Sequence, residues 1–134
     1  VKGNKWIEEY IVNPPTHILN GFIWGMWGIY DYKLQFKDSD IMTLFDDYTK
    51  TLLNELDSYD NGFWSLYEHS GTKLKMITSL FYHKLHIVQL RIMHSLTDEE
   101  YFKQIANKWD GYLINPVNRY RALFQKIIFK VLYY

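Results

Sequence analysis

Apolar residues return along this chain at steps of three and four, in blocks separated by turn formers, and that rhythm predicts helices. Leu19, Phe22, Ile23, Met26, Trp27, Tyr30 and Leu34 predict a first helix over His17 to Phe36, with Thr16 as its N-cap after Pro14-Pro15. Gly21, Gly25 and Gly28 lower helix propensity but set small residues at i, i+4 and i+7, a pattern that admits a close helix neighbour. Ser39-Asp40 opens a second helix, Asp40 to Leu56, with an apolar stripe of Ile41, Leu44, Phe45, Tyr48, Leu52 and Leu56. Ser79 to Ser95 predicts a third, carrying Leu80, His83, Ile87, Leu90 and His94 on one side. Thr97 and Glu100 have capping-box spacing for a fourth, Asp98 to about Leu113, stopped by Asn115-Pro116. The last segment, 118–134, places Tyr120, Leu123, Phe124, Ile127, Ile128 and Val131 on one face and Arg119, Arg121, Lys126 and Lys130 elsewhere, with no acidic residue.

The intervening stretches read differently. Val1 to Pro15 has irregular apolar positions and reads as a loop. Asp57 to Gly62 is dense in turn formers, and Phe63 to Tyr67 alternates as a short extended segment, so a strand or hairpin is expected near 59–68. The fold class is therefore all-α. Two antiparallel helical hairpins, each with an aromatic inner helix and a more charged outer one, suit an arc of an α/α toroid, with a simple helical bundle as the alternative. Residues 1–115 form the toroid portion, and 116–134 a basic amphipathic helix packed on it or extending it.

Composition narrows the function classes. The 134 residues make one domain with room for a core; the chain opens on Val1 and reads as a piece of a longer protein. Fifteen basic and fifteen acidic residues cancel, so nothing in the overall charge argues for nucleic acid, and an anionic ligand has to be held by local groups. The absence of cysteine excludes disulfides, thiolate catalysis and Cys-type zinc sites, and leaves the compartment open. Aromatic residues make up 19% of the chain, which suits a core and also surfaces that stack on sugars. No apolar run reaches the roughly 18–20 residues that span a bilayer.

Several short motifs follow one another: Glu8-Glu9-Tyr10; Leu19-Asn20-Gly21-Phe22 with Gly28-Ile29-Tyr30-Asp31; Tyr59-Asp60-Asn61-Gly62 with Tyr67 after it; Y-H-x-x-H-x-x-Q from Tyr82 to Gln89; and K-W-x-x-Y from Lys108 to Tyr112. Each is weak alone. In this order and spacing they resemble the C-terminal domain of the D-glucuronyl C5-epimerases, over roughly Trp6 to Tyr112. That family inverts C5 of D-glucuronic acid within a heparan- or heparosan-type polysaccharide to give L-iduronic acid. The reaction removes a weakly acidic proton from one face and returns one to the other, so it needs two acid/base groups and no cofactor. It also needs donors or cations at the carboxylate, where charge builds.

The resemblance implies catalytic roles for Glu9, Tyr10, Tyr67 and Tyr82, with Glu9 as base, Tyr82 as its counterpart on the other face, and Tyr10 and Tyr67 positioning the sugar or relaying protons. It implies substrate-binding roles for Asn20, His83, His86 and Gln89. Without it, Glu8 and Glu9 read as a solvated carboxylate pair, Tyr67 as a packing residue, and Asn20 equally as a loop anchor. His83 and His86 lie three apart, without the usual four-residue zinc spacing or a third ligand, so no metal is expected. An arginine expected of animal members after Tyr67, and another basic residue before Tyr82, are missing: Glu68-His69-Ser70 and Ser79-Leu80-Phe81 stand there. Lys73, Lys75, Lys84 or an upstream group would have to substitute. A polysaccharide lyase on a similar toroid and a non-catalytic carbohydrate-binding or scaffold domain are the rival readings. The partner implied is a uronic-acid polymer, with 118–134 as a further contact to an anionic membrane or a polysaccharide-assembly partner. An animal-type member would lie in the Golgi lumen, a bacterial one in the cytoplasm or at the membrane periphery.

Overall fold

A computed structural model describes residues 5–36 and 39–133. The loop reading for Val1 to Asn4 and the end of the last helix at Tyr134 lie outside them. Five helices follow in order: α1 (Leu19–Phe36), α2 (Ser39–Glu55), α3 (Leu80–Thr97), α4 (Glu100–Ile114) and α5 (Pro116–Tyr133), with a 3₁₀ turn at Leu56–Tyr59. The all-α expectation holds.

Helices α1 and α2 pack antiparallel, through Phe22 on Tyr48 and Tyr30 on Phe45. Helices α3 and α4 also run antiparallel: His94 faces Glu100 at one end, Arg91 bonds Asp110 at 2.8 Å, and His83 lies near Trp109 at the other end. The inner helices α1 and α3 meet, with Gln89 Nε2 donating to the Asn20 carbonyl at 3.1 Å. Leu19, Phe22, Met26, Leu52, Leu90, Met93, Phe102 and Trp109 form the core between the hairpins.

The expected extended segment is a small irregular ladder. Asp60 bridges Ser65, Leu66 bridges Ile77, and backbone bonds link Leu66 to Tyr59 (2.7 Å), Tyr67 to Met76 (2.8 Å) and Thr78 to Ser65 (3.0 Å). The residues before α1 join it: Leu19 N–H donates to the Tyr67 carbonyl, His69 N–H to that of Thr16, and the Tyr59 hydroxyl to that of His17. These bonds hold His17 at φ 50°, and α1 starts at Leu19 rather than at His17 behind a Thr16 cap.

Other boundaries also moved, for physical reasons. Ser79 is the N-cap of α3, its hydroxyl accepting from Tyr82 N–H. Thr97 closes α3 instead of capping α4: its hydroxyl donates to the Met93 carbonyl, Asp98 takes the left-handed conformation, and Glu99 precedes α4. The expected stop at Asn115-Pro116 holds, with α4 ending at Ile114 and Asn115 as its C-cap, and Pro116 also begins α5, where its missing N–H costs nothing. The glycine stripe of α1 accommodates the segment before the helix, not another helix. Ile7 lies over Gly25 and Glu9 over Gly21, while nothing lies within 4 Å of a Cβ at Gly28. Trp6 fastens that segment, stacking on Phe22 with ring centroids 3.9 Å apart.

Two apolar stripes are buried except at one end, and a third is not buried as its spacing predicts. Leu34, at the end of α1, and Leu80, at the start of α3, are exposed. Helix α5 is inverted: Ala122 and Phe129 are its buried residues, while Tyr120, Leu123, Phe124, Ile127 and Val131 face outward.

Candidate functional site

The N-terminal segment descends along α1, and the glycines under it set how closely it lies. At Gly21 the Glu9 side chain rests so near the helix that a Cβ there would sit 2.5 Å from Glu9 Oε2. Glu9 thus sits at the first turn of α1, where unpaired amides carry partial positive charge and where the helix has no acidic residue of its own.

The ladder and α3 bring the tyrosines to the same place. Tyr67 is held by backbone bonds on both sides, to Leu19 and to Met76. Tyr82 stands on the capped first turn of α3 and meets Tyr67 edge to face, with ring centroids 5.1 Å apart. Tyr10, more than half exposed, follows Glu9. Glu9, Tyr10, Tyr67 and Tyr82, from three separate stretches of sequence, converge at the surface above the starts of α1 and α3.

At Tyr67 and Tyr10 the electrostatics favour the protonated phenol. Burial pushes the Tyr67 hydroxyl up, and Glu9, Tyr82 and Tyr10 push it further. Tyr10 is raised by the Glu9 charge and by its hydrogen bond to that carboxylate. Such phenols donate hydrogen bonds at neutral pH, which leaves Glu9 as the group suited to accept a proton. Lys73, Lys75 and Lys84 are exposed, and the groups acting most strongly on Tyr67 include none of them.

Asn20, His83, His86 and Gln89 lie beneath this cluster and are buried. His83 stacks on Trp64 at 3.8 Å; its Nδ1 accepts from Ser65 N–H at 3.2 Å, and its Nε2–H donates to the Trp109 carbonyl at 3.0 Å. That pattern requires neutral imidazole, and burial lowers its pKa to about 4. His86 Nδ1 lies 3.2 Å from Ser65 Oγ, and burial followed by His83 lowers its pKa to about 3. Both rings therefore brace the ladder that carries Tyr67 and the helix that carries Tyr82. Gln89 joins α3 to Asn20 in the same way. Among the described residues no group of three or more His, Asp or Glu is arranged to hold a metal.

Two functional arrangements escaped the sequence reading. Glu8 is not half of a solvated pair: it accepts from His17 N–H at 3.0 Å and pairs with the His17 ring, so it ties down the stretch that presents Glu9. Asp60 gathers the Y-D-N-G and K-W-x-x-Y motifs into one lock. Its carboxylate accepts from Lys108 (2.8 Å), Gly62 N–H (2.7 Å), Trp109 Nε1 (3.3 Å) and the Tyr112 hydroxyl (3.2 Å). Burial raises the Asp60 pKa, but Lys108, Gly62 and Trp109 outweigh it and the net shift is downward. The opposite charges of Asp60 and Lys108 in two separate motifs were the signal available in the sequence.

Comparison with known proteins bears on the same residues. The chain is 26% identical over 125 residues to the D-glucuronyl C5-epimerase of Caenorhabditis elegans, covering 82% of this chain and 20% of that protein. It is 29% identical over 108 residues to an uncharacterized protein of Methanocaldococcus jannaschii, covering 81% of this chain and 34% of that one. The chain thus spans between a fifth and about a third of the curated relatives it matches. The family model of the D-glucuronyl C5-epimerase C-terminus matches residues 1–111, a stretch that contains the tyrosine cluster, the buried histidines and all of the Asp60 lock except Tyr112. The chain belongs to the D-glucuronyl C5-epimerase C-terminus family.

Proposed function

We propose that this chain supplies the acid/base face of a site that epimerises C5 of D-glucuronic acid in an anionic polysaccharide, within an α/α toroid of which its two hairpins form an arc. The observation that carries the reading is the convergence of Glu9, Tyr10, Tyr67 and Tyr82 at one exposed position. Glu9 takes the C5 proton; the electron pair left behind moves into the adjoining carboxylate, giving an enolate. Tyr82 then delivers its hydroxyl proton to the opposite face of C5. Tyr10 and Tyr67, held as phenols by burial and by Glu9, donate to the enolate oxygens, which carry most charge at that stage. Asn20, His83, His86 and Gln89 serve this site by fixing the elements beneath it.

The test is NMR detection of deuterium at C5 when a heparosan-type polymer is incubated in D2O with the whole protein, its Glu9→Gln form and its Tyr82→Phe form. Exchange with iduronate formation is expected of the parent, and loss of exchange in both variants with unchanged thermal unfolding. Full exchange in both would remove the site assignment. An unsaturated, ultraviolet-absorbing product would mean that the C4 substituent leaves after proton removal, making the protein a lyase.

A further inference from the structure

Helix α5 lies beyond the stretch matched by the family and is attached to the body by its more polar side. Lys126 Nζ donates to the Ile77 carbonyl at 3.1 Å and Gln125 Nε2 to that of Lys75 at 3.2 Å, beside buried Ala122 and Phe129. Val117, Tyr120, Phe124, Ile127 and Val131, at successive steps of three and four, form the opposite face, each more than half exposed. Arg119 and Lys130 lie along one edge of that strip and Arg121 along the other, its guanidinium 4.1 Å over the Phe63 ring. No residue of α5 is acidic, although the whole chain is neutral. On the Arg119 edge a cavity of about 390 Å³ is walled by Trp64, Leu80, Ala122 and Leu123, with Arg119 and Lys126 at it.

An apolar strip between two basic edges matches the layering of a bilayer surface, where acyl chains lie beneath anionic headgroups. A second copy would fit less well, since packing one α5 strip on another brings basic edges together with no acidic residue on either helix to offset them. None of the described helices is long and apolar enough to cross a membrane, so α5 would lie in the surface. We propose that α5 docks the protein onto an anionic lipid surface, with Tyr120, Phe124 and Ile127 among the acyl chains and Arg119, Arg121 and Lys130 at the phosphates.

The experiment is sedimentation of the whole protein with vesicles of phosphatidylcholine alone and of phosphatidylcholine mixed with phosphatidylglycerol. Binding to the mixed vesicles that weakens with salt is expected. The exposed pair Phe124→Ser and Ile127→Ser should lower it by about 10-fold or more without altering thermal unfolding. A soluble polyanion would be held by the basic edges alone, so binding undiminished by the apolar pair overturns the proposal, as does no binding to the mixed vesicles. A fall in mass by light scattering in the Ser pair would assign the face to a second copy. Slow amide exchange along α5 in the vesicle-free protein, lost in the Ser pair, would assign it to another part of the same chain. Either result overturns lipid docking.

Discussion

Replacing Gly21 with alanine should separate positioning of the carboxylate from stability of the fold. A Cβ at Gly21 would meet Glu9 Oε2 at 2.5 Å, Glu9 Cβ at 3.1 Å and Glu9 Cδ at 3.3 Å, whereas ordinary contact begins at 3.4 Å. The oxygen must retreat by 3.4 − 2.5 = 0.9 Å, and because the Glu9 Cβ is also too close, rotation of the carboxylate alone does not relieve the clash. A displacement of about 1 Å at a reacting group costs up to ~100-fold in rate. Against this, Gly→Ala within a helix adds up to about 1 kcal/mol of stability. The expected result is C5 exchange slowed by roughly 10- to 100-fold with an unfolding midpoint unchanged or higher. Gly28→Ala is the internal control, because nothing lies within 4 Å of its Cβ, and it should stabilise without slowing exchange. If Gly21→Ala folds normally and exchanges at the parent rate, Glu9 is not the proton acceptor at this place, and the cluster loses its base.

Asp60→Ala should destabilise the fold by about 3 kcal/mol in urea unfolding, since it strips Lys108, Trp109 and Tyr112 of a shared, largely buried acceptor. Stability should be full above about pH 6.5 and decline as the pH falls toward 4: His83 and His86, with pKa values of about 4 and 3, stay neutral in the fold while the unfolded chain takes up protons at its ordinary 6.5. His86→Gln should flatten that decline in melts recorded across the range, and an unchanged slope would place its origin elsewhere. The depressed Asp60 carboxyl adds a second loss as the pH falls below about 4 and it protonates, which Asp60→Asn should remove. Trp6→Ala should cost about 2 kcal/mol through lost stacking on Phe22 and also slow exchange, because the same segment carries Glu9; a stability loss with full exchange would separate the two.

Helical spacing located all five helices, because each keeps enough apolar residues on one side for the period to show. Boundaries shifted where tertiary bonds overrode local signals, as at His17, held by Tyr59, and at Thr97, which serves the helix before it. Spacing reports that a helix has an apolar face, not where that face points, which is why α5 came out reversed. Glu9, Tyr10, Tyr67 and Tyr82 were named through family motifs, while their meeting depends on the ladder at 59–78, whose pairings are irregular and have no period to read. His83 and His86 share a motif with Tyr82, and sequence spacing does not separate a ring that touches a substrate from one that braces a strand. Burial and bonding to Ser65 and Trp109 show the bracing contacts of these rings, which spacing does not reveal.

The Asp60 lock has a consequence for how natural variants of this family would behave. Two of its most recognisable motifs meet at a carboxylate that fastens a turn to a helix, with Lys108, Gly62, Trp109 and Tyr112 as its partners rather than the four acid/base candidates. Substitutions there would be expressed as a smaller amount of folded protein, through degradation of the unfolded fraction, with each surviving molecule turning over at its normal rate. Survey of such variants by catalytic constant would miss them, and survey by cellular abundance would find them first.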